Sequence, residues 1–94
     1  MTLEELRKHK HEIEAIAAKY GVSNIRVFGS VVRGEAGQKS DVDLLVDLRH
    51  STGWNFLGAK REIASLLGRE VDMVDDACID KYLAPYILHE ARAL

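Results

Sequence analysis

A regular alternation of side chains over residues 41–48 constrains the fold of this chain more than any other feature. Val42, Leu44, Val46 and Leu48 alternate with Asp41, Asp43, Leu45 and Asp47. Because successive side chains on a strand point to opposite faces, this pattern predicts a strand with one face in a hydrophobic core. The opposite face begins with two carboxylates, so the strand serves both packing and chemistry.

Helical and strand patterns flank this segment. Thr2 and Glu5 form a capping box, after which apolar residues recur at helical spacing until Gly21. The predicted elements are a helix over 3–20, a strand over 25–28, a loop over 34–40, the strand of residues 42–48, a helix capped by Ser51 or Thr52 and ended by Gly68, a strand over 71–74, and a last helix with Pro85 in its first turn that runs to Leu94. The order α-β-β-α-β-α predicts an α/β (α+β) fold with a small mixed sheet of about three strands flanked by helices.

Length and charge limit what else the chain can carry. Ninety-four residues suit one hydrophobic core, so we expect a single domain over residues 1–94. The net charge of -2 argues against broad electrostatic binding to nucleic acid. The lone Cys78 has no intramolecular disulfide partner, and no segment approaches the roughly 20 apolar residues of a membrane span. Together with an acidic start unlike a signal peptide, these features lead us to expect a cytoplasmic protein.

Three aspartates form a candidate metal site. Asp41 and Asp43 lie on the same strand face, about 6.6 Å apart, and can share divalent ions bound above it. If the strand of residues 71–74 lies beside this one, Asp72 adds a third carboxylate about 4.8 Å away. Carboxylates this close repel one another unless a cation neutralises them or one is protonated. Oxygen ligands without nearby Cys or His favour Mg²⁺ or Mn²⁺ over zinc.

Gly29, Ser30 and Arg33 form a candidate phosphate site after the first strand. A glycine lets the backbone approach a phosphate closely, and Ser30 offers a hydroxyl and a backbone N–H. If a helical turn follows Ser30, Arg33 lies on the same face and can bind phosphate in a bidentate manner, before Gly34 ends the turn. An anion site facing a carboxylate pair suits a metal-bound polyphosphate, with the α-phosphate of a nucleoside triphosphate as the transferred group.

Each motif alone has an ordinary structural interpretation. Acidic pairs at strand ends are commonly solvated, and a Gly-Ser dipeptide is often only a turn. The combination is more specific, because Asp72 lies inside an apolar strand, where an acid costs stability unless something compensates it. We therefore favour nucleotide or metal binding over solvated acids.

These motifs resemble those of a known family. The segments Val27–Gly34 and Ser40–Val46 are similar to the signature of the minimal nucleotidyltransferases of the DNA polymerase β superfamily, in which Gly-Ser is followed after ten residues by Asp-x-Asp. Residues 71–74 resemble the strand of the third carboxylate, and Tyr82–Ile87 with Glu90-Ala91 resembles the terminal helix. The resemblance spans nearly the whole chain and implies the nucleotidyltransferase, polymerase β-like palm fold.

The resemblance also implies roles. It implies that Asp41, Asp43 and Asp72 are catalytic and hold Mg²⁺ or Mn²⁺, with Asp72 assisting in activation of the acceptor hydroxyl. Gly29, Ser30 and, less closely matched, Arg33 would bind the triphosphate of ATP. Small members resemble antitoxins whose partner is a helical HEPN-domain ribonuclease toxin, and the best-known activity is transfer of AMP from ATP to a tyrosine of that toxin.

Two hypotheses follow for function. The first is a Mg²⁺-dependent adenylyltransferase that modifies a partner toxin as its antitoxin. The second is a non-catalytic antitoxin that neutralises the partner by binding, through Leu83, Tyr86, Ile87 and Leu94 if the last helix is half exposed; simple packing of that helix on the sheet is the alternative. Transfer to a small molecule or to a nucleic acid is disfavoured, because the chain lacks an acceptor domain and a basic surface.

Overall fold

The computed structural model describes residues 1–35, 37 and 41–94. Within this part of the chain four strands form one sheet: β1 (Ser23–Phe28), β2 (Val42–Asp47), β3 (Val71–Asp75) and β4 (Arg92–Ala93). Their order is β3-β2-β1-β4, with β1 antiparallel to β2 and β4, and β2 parallel to β3. The mixed α/β fold is confirmed, and β3 lies beside β2, which is the condition on which the place of Asp72 beside the other aspartates depended.

The helices are α1 (Leu3–Arg7), α2 (Lys10–Lys19), α3 (Ser30–Arg33), α4 (Phe56–Leu67) and α5 (Ala84–Glu90), with a 3-10 helix at Asp76–Cys78. Buried side chains of α1, α2 and α4 form one core with the sheet, and its largest members are Leu6, Ile13, Val27, Val42, Leu44, Val46, Ile63 and Val71. The apolar positions of β2 therefore face this core as the alternation predicts. Among the described residues, no helix has the length and apolar character needed to cross a membrane.

The first helix is interrupted, so the prediction of one helix over residues 3–20 is wrong in this respect. The capping box of Thr2 and Glu5 is confirmed, since the Thr2 hydroxyl accepts the Glu5 N–H at 3.1 Å and the Glu5 carboxylate accepts the Thr2 N–H at 3.4 Å. After Arg7 the backbone makes a tighter turn, in which His9 donates its N–H to the carbonyl of Leu6, three residues earlier. Residues 7–11 contain no apolar side chain to hold a continuous helix against the core.

The last helix is shorter than predicted. Pro85 lies in its first turn as expected, but α5 ends at Glu90 rather than at Leu94. Ala91 is extended, and the next two residues pair with β1 as β4. Burial of the Leu94 side chain, which is only 7% exposed, supports this ending. The sheet consequently has one strand more than the three predicted.

The middle helix begins later than predicted. Neither Ser51 nor Thr52 caps α4, which begins at Phe56 after a turn in which Asn55 donates its N–H to the Thr52 carbonyl. Its predicted end is confirmed, because Gly68 adopts the left-handed conformation with φ of 66°. The loop predicted over residues 34–40 is only partly described, since Ala36, Gln38, Lys39 and Ser40 lie outside the described residues.

Candidate active site

Gly29 brings the end of β1 against β2. It has φ of 77° and ψ of -150°, a conformation that is essentially restricted to glycine. A Cβ atom at this position would collide with the carboxylate of Asp43. Phe28, the last residue of β1, pairs with Asp43 across the antiparallel ladder. The glycine is therefore required both by its backbone conformation and by the side chain that it faces.

The three predicted carboxylates come together at the end of the parallel strand pair. Asp43 and Asp72 are direct register partners, and Asp41 immediately precedes β2. Burial raises the pKa of Asp43, and the charges of Asp72 and Asp41 raise it further. Asp72 and Asp41 are thus close enough to Asp43 to disfavour its ionised form, which a bound cation would stabilise.

The donor set fits a hard divalent cation. All three side chains offer carboxylate oxygens, the ligands that Mg²⁺ and Mn²⁺ prefer. In the part of the chain that the structure describes, no group of three or more His, Cys, Asp or Glu side chains is placed so that it could hold a metal ion as it stands. What the structure shows is the side-by-side placement of Asp43 and Asp72, with Asp41 just before β2, and the rise in the pKa of Asp43 to which their charges contribute.

The predicted helical turn after Ser30 is present as α3. It ends at Gly34, whose φ of 74° is left-handed, as the sequence predicts. Arg33 lies at the end of this turn, but its guanidinium is engaged by two carboxylates. Nη1 donates to both Oε1 and Oε2 of Glu90 at 3.0 Å, and Nε donates to Oε2 of Glu35 at 3.0 Å. The guanidinium thus faces carboxylates at the position where the sequence predicts a phosphate.

Glu90 is a site residue to which sequence reasoning assigned no role. Its carboxylate accepts the backbone N–H of Gly29 as well as the guanidinium of Arg33. The side chain is 26% exposed, and its charge contributes to the raised pKa of Asp43. The one sequence signal was its place in the Glu90-Ala91 segment that resembles the terminal helix of the family.

The apolar residues predicted to form an interface near the last helix differ in their exposure. Leu83 and Tyr86 are 56% and 75% exposed, Ile87 is half-buried and Leu94 belongs to the core. Two of the four apolar residues considered for an interface are therefore available to a partner, whereas the other two pack against the molecule.

Comparison with solved structures shows the class of fold. A structure described as a "putative minimal nucleotidyltransferase" is 38% identical, with a TM-score of 0.84, and the match covers 100% of this chain and 97% of that chain. A crystal structure of a toxin-antitoxin with AMP-PNP is 20% identical with a TM-score of 0.71, covering 89% of this chain and 70% of that one. The second likeness concerns the fold alone.

Sequence comparison then shows the family. Residues 6–93 match the family described as Nucleotidyltransferase domain. A relative in Thermococcus cleftensis, protein adenylyltransferase MntA, is 38% identical over 95 residues, which cover 96% of this chain and 93% of the relative. The chain therefore belongs to the nucleotidyltransferase domain family and is a nucleotidyltransferase, as the resemblance of its motifs implied.

Proposed function

We propose that the chain is a Mg²⁺-dependent protein adenylyltransferase that transfers AMP from ATP to a tyrosine hydroxyl of a HEPN-type toxin and so acts as its antitoxin. The observation that carries the proposal is the contact of Gly29 with Asp43, the register partner of Asp72. It places a tight turn with backbone donors directly against a group of carboxylates. The name of the relative in Thermococcus cleftensis, a protein adenylyltransferase, supports the reaction class.

Each group of site residues has a separate proposed role. Asp41, Asp43 and Asp72 would hold Mg²⁺ or Mn²⁺, and the ion would supply positive charge against the reacting phosphate and the leaving pyrophosphate. Gly29, Ser30 and Arg33 bind the triphosphate with backbone, hydroxyl and guanidinium donors.

Asp72 also assists the transfer step by accepting the proton of the acceptor hydroxyl. The acceptor oxygen forms a bond to the α-phosphorus of ATP, and the bond from that phosphorus to the bridging oxygen of the β-phosphate breaks. The products are the adenylylated acceptor and pyrophosphate.

The acceptor is supplied by another protein. We propose that residues 1–94 form a single cytoplasmic domain that provides the donor half of the site, while the toxin provides the hydroxyl. Three of the similar folds are toxin-antitoxin structures, one with AMP-PNP and two described as MntA-HpeT, and this supports a toxin as the partner.

Label transfer tests this proposal directly. The protein is incubated with ATP labelled at the α-phosphate, Mg²⁺ and the toxin encoded beside it. We expect the wild-type protein to transfer label to the toxin and the double variant D41N/D43N to transfer none. D47N is the control, because it changes the same strand outside the carboxylate group, and we expect it to transfer label. Equal transfer by D41N/D43N, or no transfer by the wild type, would contradict the proposal.

A second candidate is a non-catalytic antitoxin that neutralises the toxin by binding. The exposure of Leu83 and Tyr86 on α5 favours it, because exposed apolar groups mark protein interfaces. Toxin neutralisation in cells separates the two candidates. Full protection by D41N/D43N supports the binding module, whereas loss of protection with an intact complex supports the enzyme.

A further inference from the structure

The carboxylate of Glu90 contacts two of the groups to which triphosphate binding is assigned above. It accepts the N–H of Gly29, and both of its oxygens lie 3.0 Å from Nη1 of Arg33. A carboxylate and a phosphate oxygen bind the same kinds of donor, namely backbone N–H groups and guanidinium groups. The two anions cannot both occupy the Gly29 N–H, which has one hydrogen to donate.

The charges around Glu90 also argue against a phosphate binding beside it. The charge of Glu90 contributes to the raised pKa of Asp43, so Glu90 lies close enough to this carboxylate for its own charge to act there and to repel a further anion. Arg33 is the cation that contacts it, and this same guanidinium also holds Glu35. With Glu90 in place, the charge of Arg33 is already balanced before any nucleotide arrives.

We propose that Glu90 is an internal competitor of the triphosphate, which the nucleotide must displace from Gly29 and Arg33 in order to bind. This inference rests on the proposed nucleotide site. When the contact is closed, the donors of the phosphate site are filled and the apparent nucleotide affinity is reduced by the fraction of molecules in the open state. When the nucleotide binds, Glu90 leaves the turn and the C-terminal end of α5 loses this attachment to β1.

The proposed displacement also affects α5, the helix near which exposed apolar residues lie. Glu90 is the last residue of α5; the exposed Leu83 immediately precedes this short helix and the exposed Tyr86 lies in its first turn. Beyond Glu90 only Ala91 separates the helix from β4. Release of Glu90 therefore removes one attachment of the C-terminal end of α5, while the pairing of β4 with β1 remains.

The first test is the Mg²⁺–ATP affinity of E90Q measured by calorimetry. Glutamine keeps the length of the side chain and an acceptor for the Gly29 N–H but removes the charge. If the closed state is populated at about 70–90%, E90Q binds Mg²⁺–ATP about 3- to 10-fold more tightly than the wild type. Unchanged or weaker binding would overturn the inference.

E35Q is the matched control. Glu35 bonds the same guanidinium through Nε but is 66% exposed and has no hydrogen bond to Gly29 in the described residues. We expect its affinity to change less than about twofold, because an exposed ion pair contributes little. A gain by E35Q equal to that of E90Q would show that release of Arg33 alone is responsible and would overturn the role of the Gly29 contact.

Hydrogen exchange of the wild-type protein provides a second test that does not require a variant to fold. Addition of Mg²⁺–ATP is expected to increase exchange in residues 87–94 while it protects the turn at Gly29 and Ser30. Increased protection of residues 87–94 would contradict displacement. If neither the wild type nor E90Q binds millimolar Mg²⁺–ATP, the nucleotide site and this inference both fail; if both bind equally and label is still transferred, only this inference fails.

Discussion

Asp43 and Asp47 lie on the same face of β2, four residues apart, and their surroundings have opposite effects. Asp47 is buried, and its carboxylate accepts the backbone N–H of Arg49 at 2.9 Å and the guanidinium Nε at 2.9 and 3.1 Å. Hydrogen bonds from Arg49 lower the pKa of Asp47. Burial and two neighbouring aspartates raise the pKa of Asp43. One strand thus carries, at one end, a carboxylate that Arg49 binds and, at the other, a carboxylate whose ionised form burial and neighbouring charges disfavour.

This difference separates the structural end of the strand from its functional end. An ionised group with dedicated donors stabilises the folded state, whereas a group of like charges destabilises it until a ligand compensates them. The Gly29 turn adds, at the same end, a backbone conformation that only glycine adopts without strain. The repelled carboxylate and the glycine-dependent turn therefore lie together where we propose that nucleotide and metal bind.

The largest expected effect is a dissociation of activity from stability between D43N and D47N. We expect D43N to lower AMP transfer on the order of 100-fold while leaving the thermal midpoint unchanged or raised, because the substitution removes a repelled charge. D47N should keep most of its activity and lower the thermal midpoint, since the donors of Arg49 lose an ionised acceptor. Kinetic assays measure the activity of both variants, and thermal unfolding measures their stability. A D43N protein less stable than D47N would contradict the assignment of a functional and a structural end to β2.

Replacement of Gly29 tests the strained turn on the functional side. We expect Gly29→Ala to destabilise the fold by about 1–3 kcal/mol from backbone strain, with a further cost from the collision with Asp43. Gly34→Ala is the control, because Gly34 lies in the left-handed region, which other residues adopt at lower cost, and an added Cβ atom would meet nothing within 4 Å. Urea unfolding should therefore show a larger loss for Gly29→Ala. Equal losses would mean that neither the backbone conformation of Gly29 nor its contact with Asp43 adds to the cost.

The sequence predicts the apolar framework well and its ends poorly. Alternation along β2 correctly assigns Val42, Leu44 and Val46 to the core, because the period of a strand fixes which side chains share a face. The end of α5 could not be predicted in the same way. Whether Arg92 and Ala93 continue a helix or pair with β1 depends on contacts with residues far away in the chain.

The candidate site shows the same limit. The sequence could predict that Asp41, Asp43 and Asp72 lie close together, because the register between neighbouring strands follows from the pattern of each strand. The partnership of Glu90 with Gly29 could not be predicted, since it joins residues 61 positions apart through one side chain on a different helix. Periodicity indicates a face, but it does not indicate which distant donor a charged group on that face will contact.

The smallest expected effect is the pH dependence of the two aspartates, and its sign differs between them. Asp47 has a lowered pKa, so its contribution to stability is present above the ordinary value of 3.8 and is lost as the pH falls below it. Asp43 has a raised pKa, so its charge begins to penalise the folded state as the pH rises above 3.8. Between pH 7 and about pH 3, urea midpoints of D47N should therefore approach the wild type from below, and those of D43N should approach it from above. If the plot of urea midpoint against pH for either variant runs parallel to that of the wild type, the carboxylate that the variant lacks does not titrate with folding. The contrast between the two ends of β2 would then have an origin other than charge.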